Sequence, residues 1–325
     1  MGEFELIRRY FQRSTAPAAG VALGIGDDCA LLQPTPGTQM AISSDMLVEG
    51  HHFFADVDPE ALGHKALAVN LSDLAASGAR PVAFTLALSL PRADEAWLTG
   101  FARGLFALAD AHHCALIGGD TTKGPLNICI TVFGEVPVVK GQSQALLRSG
   151  ARAGDDLWVS GTLGDARLAL HALQGQRVLP AEVLQTARLR LERPTPRVAL
   201  GLALRGVASA AMDLSDGLAG DLGHLLQASN CGAELNAATL ATLPACPWAG
   251  LSEADRLTLV LGGGDDYELL FSAPPAQQAA VHAAGTAAGV PVTCIGRLVA
   301  APGLRVLDPQ GQPLPGHFQS YDHFA

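Results

Sequence analysis

Between Leu23 and Leu31 the sequence reads Gly24-Ile25-Gly26-Asp27-Asp28-Cys29-Ala30, two glycines delivering a pair of adjacent carboxylates before apolar residues resume. A loop this short cannot neutralise both acids from within. Two carboxylates ~4 Å apart at an effective dielectric of ~20 repel by about 4 kcal/mol, so the pair must face water, find a base or hold a cation. No Lys or Arg lies between Arg13 and Lys65. The same kind of acid recurs at Asp45, Asp73, Asp120, Asp213, Asp216, Asp265 and Asp266, each beside an apolar or glycine-rich run rather than in a charged surface patch. A chain written this way must end its strands and helices on carboxylates, and the recurrence points to several of them converging on metal ions.

The periodicities place these acids. Phe4, Ile7 and Phe11 stand at helical spacing in a short amphipathic N-terminal helix, after which the acidic loop follows. Residues 40–45 read as a strand that carries Ser43, Ser44 and Asp45 to its polar end. Gly50-His51-His52-Phe53 invites a zinc reading, but adjacent histidines in a strand point to opposite faces, which favours one of them reaching a substrate phosphate. Asp58-Pro59 opens a helix that runs to Ser77 before Gly78 closes it, with Asp73 in register with the buried stripe of Leu62, Ala66 and Val69. An acid there is either paired or caps the following turn. Residues 82–90 form an apolar strand, and Pro91 is expected to open a helix through about Ala111 with Trp97, Phe101, Leu105 and Leu108 on one face. Residues 114–120 again give strand, glycines and acid, the glycines permitting close approach of backbone to a ligand. Residues 127–136 alternate as a strand, and residues 137–149 form a crossover in which Arg148 stands in a Ser/Gly-flanked turn.

The second half repeats the habit without a fixed period. Residues 156–160 are a strand, and Gly161-Thr162-Leu163-Gly164 enters a helix as a plain turn. Residues 208–213 deliver Asp213 to Leu214-Ser215-Asp216-Gly217, where Ser215 or Asp216 would serve as an ordinary helix cap and Asp213 lies outside that role. The run Gly262-Gly263-Gly264-Asp265-Asp266-Tyr267-Glu268 feeds an acidic pair into the strand beginning at Leu269 and echoes the opening loop.

Composition limits the function classes. A chain of 325 residues exceeds what one core usually serves, so two domains of about 150 residues are expected, here residues 1–140 and 141–325. The formal net charge of -10 and the absence of basic runs argue against a nucleic-acid partner. Six cysteines at 29, 114, 129, 231, 246 and 294 include no Cys-x-x-Cys pair and read as small buried hydrophobes of a reducing compartment. The N-terminus carries acids where a signal peptide has its basic region, and the apolar stretch from Leu269 is broken by Pro and Gly, so a cytoplasmic protein with no membrane partner is expected.

Aspartates at strand ends, with hydroxyls and glycines beside them, suit Mg²⁺ shared between a few carboxylates and substrate phosphate oxygens. There is no Gly-x-x-x-x-Gly-Lys-Ser/Thr loop, no kinase catalytic-loop signature and no Gly-x-Ser-x-Gly elbow. The residues themselves therefore define a phosphate-handling, multi-Mg²⁺, two-domain α/β enzyme.

Gly24 to Ala30, Ser43-Ser44-Asp45, residues 68–75 (Ala-Val-Asn-Leu-Ser-Asp-Leu-Ala), Gly118-Gly119-Asp120-Thr121, Met212 to Gly217 and Gly263 to Leu269 together resemble the thiamine-monophosphate kinase family of the aminoimidazole ribonucleotide synthetase-like ATP-binding superfamily. The likeness extends over nearly the whole chain; Asp265 stands where the longer Glu is expected, and Ser44 where a Thr is common. The resemblance implies a mixed α/β (α+β) two-domain fold whose N-terminal half binds ATP and Mg²⁺ and contributes to a β-barrel in a homodimer. It implies ATP-dependent phosphorylation of thiamine monophosphate to thiamine diphosphate by direct transfer. By that analogy Asp28, Ser43, Ser44, Asp45, Asp73, Asp120, Asp213 and Asp216 hold Mg²⁺, with Asp45, Asp120 and Asp213 essential to turnover. Gly119, Asp120, Arg148 and Ser215 contact ATP, and His52, Asp265 and Phe318 contact thiamine monophosphate. A sister ATP-dependent activity of the superfamily, such as aminoimidazole ribonucleotide or selenophosphate synthesis, and a catalytically silent metal-dependent dimerisation module are the alternatives.

Overall fold

The computed structural model describes residues 2–13, 19–243 and 251–315. The chain forms two compact units, Met1–Leu74 with Ala79–Gln144, and Ala145–Ala325 with the short piece Ala75–Gly78.

In the first unit, α1 (Glu3–Leu6) continues as a π-helical turn through Ile7–Phe11. Phe11 is buried, but Phe4 is 76% exposed, so the apolar stripe expected at 4, 7 and 11 is only partly used. The strands β1 (Val21–Leu23) and β2 (Leu31–Leu32) pair antiparallel around the acidic loop. There follow β3 (Thr38–Val48), α2 (Pro59–Ala76), β4 (Arg80–Leu90), α3 (Glu95–Ala111), β5 (Ala115–Lys123), β6 (Asn127–Val139) and β7 (Gln142–Ser143). The sheet has the order β3-β6-β4-β5, with β7 on β6; β4 and β5 run parallel and the other pairs antiparallel.

Local chemistry sets these boundaries. Asp58 Oδ1 accepts from the Glu60 amide at 3.2 Å, as expected of a cap before Pro59. Gly78, at φ +61, lets Ala79 N reach back to Leu74 O at 2.8 Å and ends α2. Pro91 does not open α3: Asp94 is the cap, its carboxylate accepting from Trp97 N at 3.1 Å, and Trp97 stacks on Phe101 with ring centroids 5.0 Å apart. The capping acid, rather than the proline three residues earlier, decides where the first amides are satisfied.

The two faces of this sheet differ. Phe84, Leu86, Leu88, Ile128, Ile130 and Val132 are buried on the face that carries α2. Their neighbours point the other way, where Ile42 is 62% and Met46 55% exposed. Near β1 and β2 that second face is closed by a small cluster of Val82, Ala83 and Ile117 with Val21 and Leu32.

The second unit comprises β8 (Asp156–Ser160), α4 (Asp165–Leu173), α5 (Ala181–Glu192), α6 (Val198–Leu204), β9 (Ala210–Asp213), α7 (Leu218–Ser229), β10 (Gly232–Asn236), α8 (Ala237–Leu240), α9 (Glu253–Gly262), β11 (Leu269–Ala273), α10 (Gln278–Ala288), β12 (Val292–Val299) and β13 (Gly303–Leu307). Six strands form a mixed sheet of order β13-β10-β12-β8-β11-β9, in which only β10 and β13 run parallel. Leu157, Met212, Leu222, Leu225, Val260, Leu270 and Ile295 belong to its main core, and a second cluster joins α4 to α5 through Leu168, Ala187 and Leu191. The piece Ala75–Gly78 is held here: Leu146 N donates to Ser77 O at 3.1 Å, and Gly201 of α6 lies so close to the Ala75 carbonyl that any side chain would collide with it.

Cys114 and Cys231 are buried, as expected of small hydrophobes, whereas Cys29 and Cys294 are exposed. Cys29 follows the two loop acids out to the surface instead of turning into the core. Among the described residues no helix is long and apolar enough to cross a membrane.

Candidate functional site

In the first unit the expected site residues fall into two groups, separated by the alternation of the strand. On the α2 face, Ser43 Oγ donates a short hydrogen bond to Asp73 Oδ2, so Asp73 is paired across to β3 rather than capping its own helix end. Two residues along, the Asp45 amide donates to Asn70 Oδ1 at 3.1 Å, and Asn70 Nδ2 donates to Ala66 O at 3.0 Å. Asn70 is completely buried and ties strand to helix at the point where the acids emerge. Its burial inside the motif at residues 68–75 was the available signal, but an amide between Val69 and Leu71 carries no charge to draw attention.

Ser44, between Ser43 and Asp45, faces the opposite way and shares its hydroxyl with Thr131 Oγ1 at 2.9 Å. On that second face Asp120 follows the register Met46–Cys129–Ala87–Asp120 across the sheet. The Gly24–Ala30 loop reaches the same region: Asp27, Asp28, Gly118, Gly119, Asp120 and Thr121 line one cavity of about 1130 Å³, with Thr85 and Phe133 on its wall. Asp27 and Asp28 are exposed, so the repulsion anticipated in the loop is relieved first by water; Asp27 Oδ1 also accepts the Asp28 amide at 2.8 Å. Gly119 adopts φ +143, and a Cβ there would be driven into the backbone of Leu86, so glycine alone fits this register.

Asp28, Gly119 and Asp120 are thus brought together, and so are Ser43, Asp45 and Asp73. The two sets are not: Asp45 and Asp120 lie on opposite faces and on the outermost strands, three strand spacings or about 14 Å apart. Among the described residues no group of three His, Cys, Asp or Glu side chains is placed to hold a metal ion. His52 lies in the turn after β3, where its Nδ1 accepts from the Val48 amide at 3.0 Å; the ring is 6.5 Å from that of His51 and tilted to it. No strand alternation separates the two histidines, because both sit in the turn.

In the second unit two acid-bearing loops are laced to one another. β9 pairs with β11 in the register Asp213 to Leu269. Beyond the ladder Leu214 N donates to Glu268 O at 2.9 Å, Tyr267 N to Leu214 O at 2.8 Å, and Asp265 N to Ser215 O at 2.8 Å. Asp213 is buried at the strand end, while Ser215, Asp216 and Asp265 are half-buried. Neither Ser215 nor Asp216 caps α7, whose first position is preceded by Gly217 without a side-chain cap. Instead Asp221, one turn into the helix, reaches back and accepts the amides of Ser215, Asp216 and Gly217. Arg148 is exposed, and its carbonyl accepts from Ser229 Oγ at 2.9 Å. Phe318 lies outside the described residues.

The pair Asp265-Asp266 divides into two roles. Asp265 adopts φ +66 and is half-buried, whereas Asp266 is buried with both oxygens on the Gly164 amide at 2.9 and 3.1 Å. Burial pushes the Asp266 carboxyl well above its usual range, against the pull of that amide and of Arg190. Glu268, fully buried, accepts from Ser160 Oγ at 2.5 Å, from Arg190 at 2.7 Å and from Arg197 Nε at 2.6 Å, with a second, shorter bond from Arg197. The acid run in the sequence is therefore one half-buried carboxylate, Asp265, followed by two buried ones that fix the loop.

Residues 26–136 match the N-terminal domain, and residues 152–308 the C-terminal domain, of AIR synthase related proteins. The class is thus the two-domain, mixed α/β AIR synthase-like fold. The thiamine-monophosphate kinase of Salmonella typhimurium is 46% identical over all of this chain and 98% of its own length. Among solved structures, the thiamine-monophosphate kinase of Stenotrophomonas maltophilia is 45% identical with a TM-score of 0.82, covering 96% of each chain. AaThiL, solved in complex with AMPPCP and TMP, is 29% identical with a TM-score of 0.76, covering 90% of this chain and 89% of that one. The chain belongs to the thiamine-monophosphate kinase family.

Proposed function

We propose that this protein transfers the γ-phosphoryl group of ATP to a phosphate oxygen of thiamine monophosphate, forming that P–O bond as the bond to the β-phosphate oxygen breaks, and releasing thiamine diphosphate and ADP. The observation that carries the reading is the cavity in which Asp28, Gly119 and Asp120 meet, in a chain alike over its full length to kinases of this name. Hard oxygen donors fit Mg²⁺, and we assign Asp28, Ser43, Ser44, Asp45, Asp73, Asp120, Asp213 and Asp216 to it. Bound Mg²⁺ would neutralise the facing phosphates and hold them in line. Gly119, Asp120, Arg148 and Ser215 are assigned to ATP. The backbone of Gly119 is bare, so a phosphate can approach it closely. The amide and carbonyl of Ser215 are both engaged, which leaves its Oγ for the nucleotide. His52, Asp265 and Phe318 are assigned to thiamine monophosphate, the carboxylate suiting a cationic ring. Residues 1–140 are assigned to ATP, metal and dimerisation, and residues 141–325 to the C-terminal α/β domain of a cytoplasmic enzyme.

A homodimer is supported by the first unit's exposed apolar sheet face and by the separation of Asp45 from Asp120 within one copy. Direct transfer is favoured because in-line displacement needs positioning and charge neutralisation rather than a covalent carrier. With γ-labelled ATP, Mg²⁺ and thiamine monophosphate, label should appear in thiamine diphosphate. Without acceptor the protein should stay unlabelled; stoichiometric, chaseable label on the denatured chain would overturn direct transfer.

A further inference from the structure

Asp221 was not marked by the sequence reading, yet one of its oxygens collects three successive backbone amides beside the expected site. A single oxygen, Oδ2, accepts from Ser215 N at 3.0 Å, Asp216 N at 3.0 Å and Gly217 N at 3.1 Å. Three successive amides converging on one point form an anion-binding nest, and here the anion comes from the chain itself. The side chain is only 3% exposed. Burying an acid is costly unless it is hydrogen-bonded, and three amides offset that cost here, so the fold accepts a desolvated acid in order to hold this loop. The opposite side of the loop is tied by backbone hydrogen bonds to Glu268, Tyr267 and Asp265. Nothing but Asp221 fixes the amides of residues 215–217 among the described contacts.

We propose that Asp221 is a positioning residue: it locks the Asp213–Asp216 segment in the shape that presents the Asp213 and Asp216 carboxylates and the Ser215 hydroxyl to the metal-bound nucleotide. The proposal rests on the kinase reading for what that segment binds. Loss of Asp221 frees three amides and lets the loop turn, which weakens nucleotide binding first and reaches the acceptor side only through the Asp265 amide on Ser215 O.

The test compares the full-length wild type with Asp221→Ala, the near-isosteric Asp221→Asn, and Asn236→Ala, which removes the cap on Thr239 N elsewhere in the same unit. Amide exchange across residues 212–222, calorimetric affinity for a non-hydrolysable ATP analogue with Mg²⁺, and KM for each substrate are measured. Asp221→Ala is expected to speed exchange and weaken analogue binding by at least tenfold, with KM for ATP raised more than KM for thiamine monophosphate. Asp221→Asn, which keeps a neutral acceptor, should fall between, and Asn236→Ala should change neither affinity nor exchange in this segment. Analogue affinity equal to wild type in Asp221→Asn, or in a folded Asp221→Ala, makes the residue a helix cap only and overturns the proposal. Should Asp221→Ala not fold, Asp221→Asn decides by the same readings. A wild type that binds the analogue but does not phosphorylate thiamine monophosphate would sink the kinase reaction and leave the positioning role standing, whereas one that does not bind it removes both.

Discussion

Replacing Glu268 with Ala should be among the most damaging single changes in the second unit. The side chain is fully buried and collects hydrogen bonds from Ser160 Oγ, Arg190 and Arg197. Removing it leaves two guanidiniums and a hydroxyl facing a void. Breaking a buried ion pair from one side typically costs about 3–5 kcal/mol. Both arginine side chains retain 17% exposure, so part of their charge can be rehydrated, which moves the expectation to about 3–4 kcal/mol. For a unit of this size that corresponds to a fall of roughly 10 °C in the transition of the second unit, measured by calorimetry. Glu268→Gln keeps the shape and one good acceptor but turns an amide donor toward an arginine, and should cost about half as much. Arg190→Met combined with Glu268→Ala should recover part of the loss, because one stranded cation is gone. A Glu268→Ala protein within about 1 kcal/mol of wild type would refute the reasoning, since water alone would then be satisfying both guanidiniums.

Asp45→Asn and Asp120→Asn should each abolish turnover with unchanged circular dichroism; near-normal kcat at saturating Mg²⁺ would remove that residue from the site. Gly119→Ala cannot be accommodated against the Leu86 backbone without parting β5 from β4, so it should lower both the yield of folded protein and ATP affinity, and a fully active, equally stable variant would contradict the register. Burial would raise the Glu135 carboxyl, but the Thr35 amide at 2.7 Å and Arg80 at 2.5 Å hold it below its ordinary value of 4.5. Its stabilisation is present above that ordinary value and lost as pH falls through the lower folded value. Glu135→Gln should therefore cost about 1–3 kcal/mol at pH 7 and almost nothing at pH 2, read by urea unfolding at both; an equal loss at the two pH values would argue against the sign.

The sequence made the main strands and the α2 helix legible because their signals were local: apolar alternation in β4 and β6, and a Pro after a capping Asp at α2. It also placed both glycine-flanked acid loops. The cap at Asp94 was missed in favour of Pro91, although Asp94-Glu95 is the better start by helix chemistry. Ser43-Ser44-Asp45 reads as one cluster along the chain, but a strand turns alternate side chains to opposite faces, so the structure divides it. Asp221 shares the buried stripe of Leu218, Leu222 and Leu225, the same criterion that singled out Asp73, and would have been found by applying it again. The split between Asp265 and Asp266 depends on the Gly164 amide, 102 residues away, and such a partner leaves no trace in the local pattern.

The membership of Ala75–Gly78 in the second unit has a consequence for synthesis. The chain passes between units at Leu74/Ala75, Gly78/Ala79 and Gln144/Ala145, so no single cut separates them into continuous pieces. Ala75–Gly78 leaves the ribosome well before Gly201, against which the Ala75 carbonyl closes. At about 5–20 residues per second the interval is on the order of 10 s, during which the first unit can fold up to Gln144 while the end of α2 waits for its partner. A nascent chain halted before α6 would therefore carry a finished N-terminal sheet with one exposed helix end.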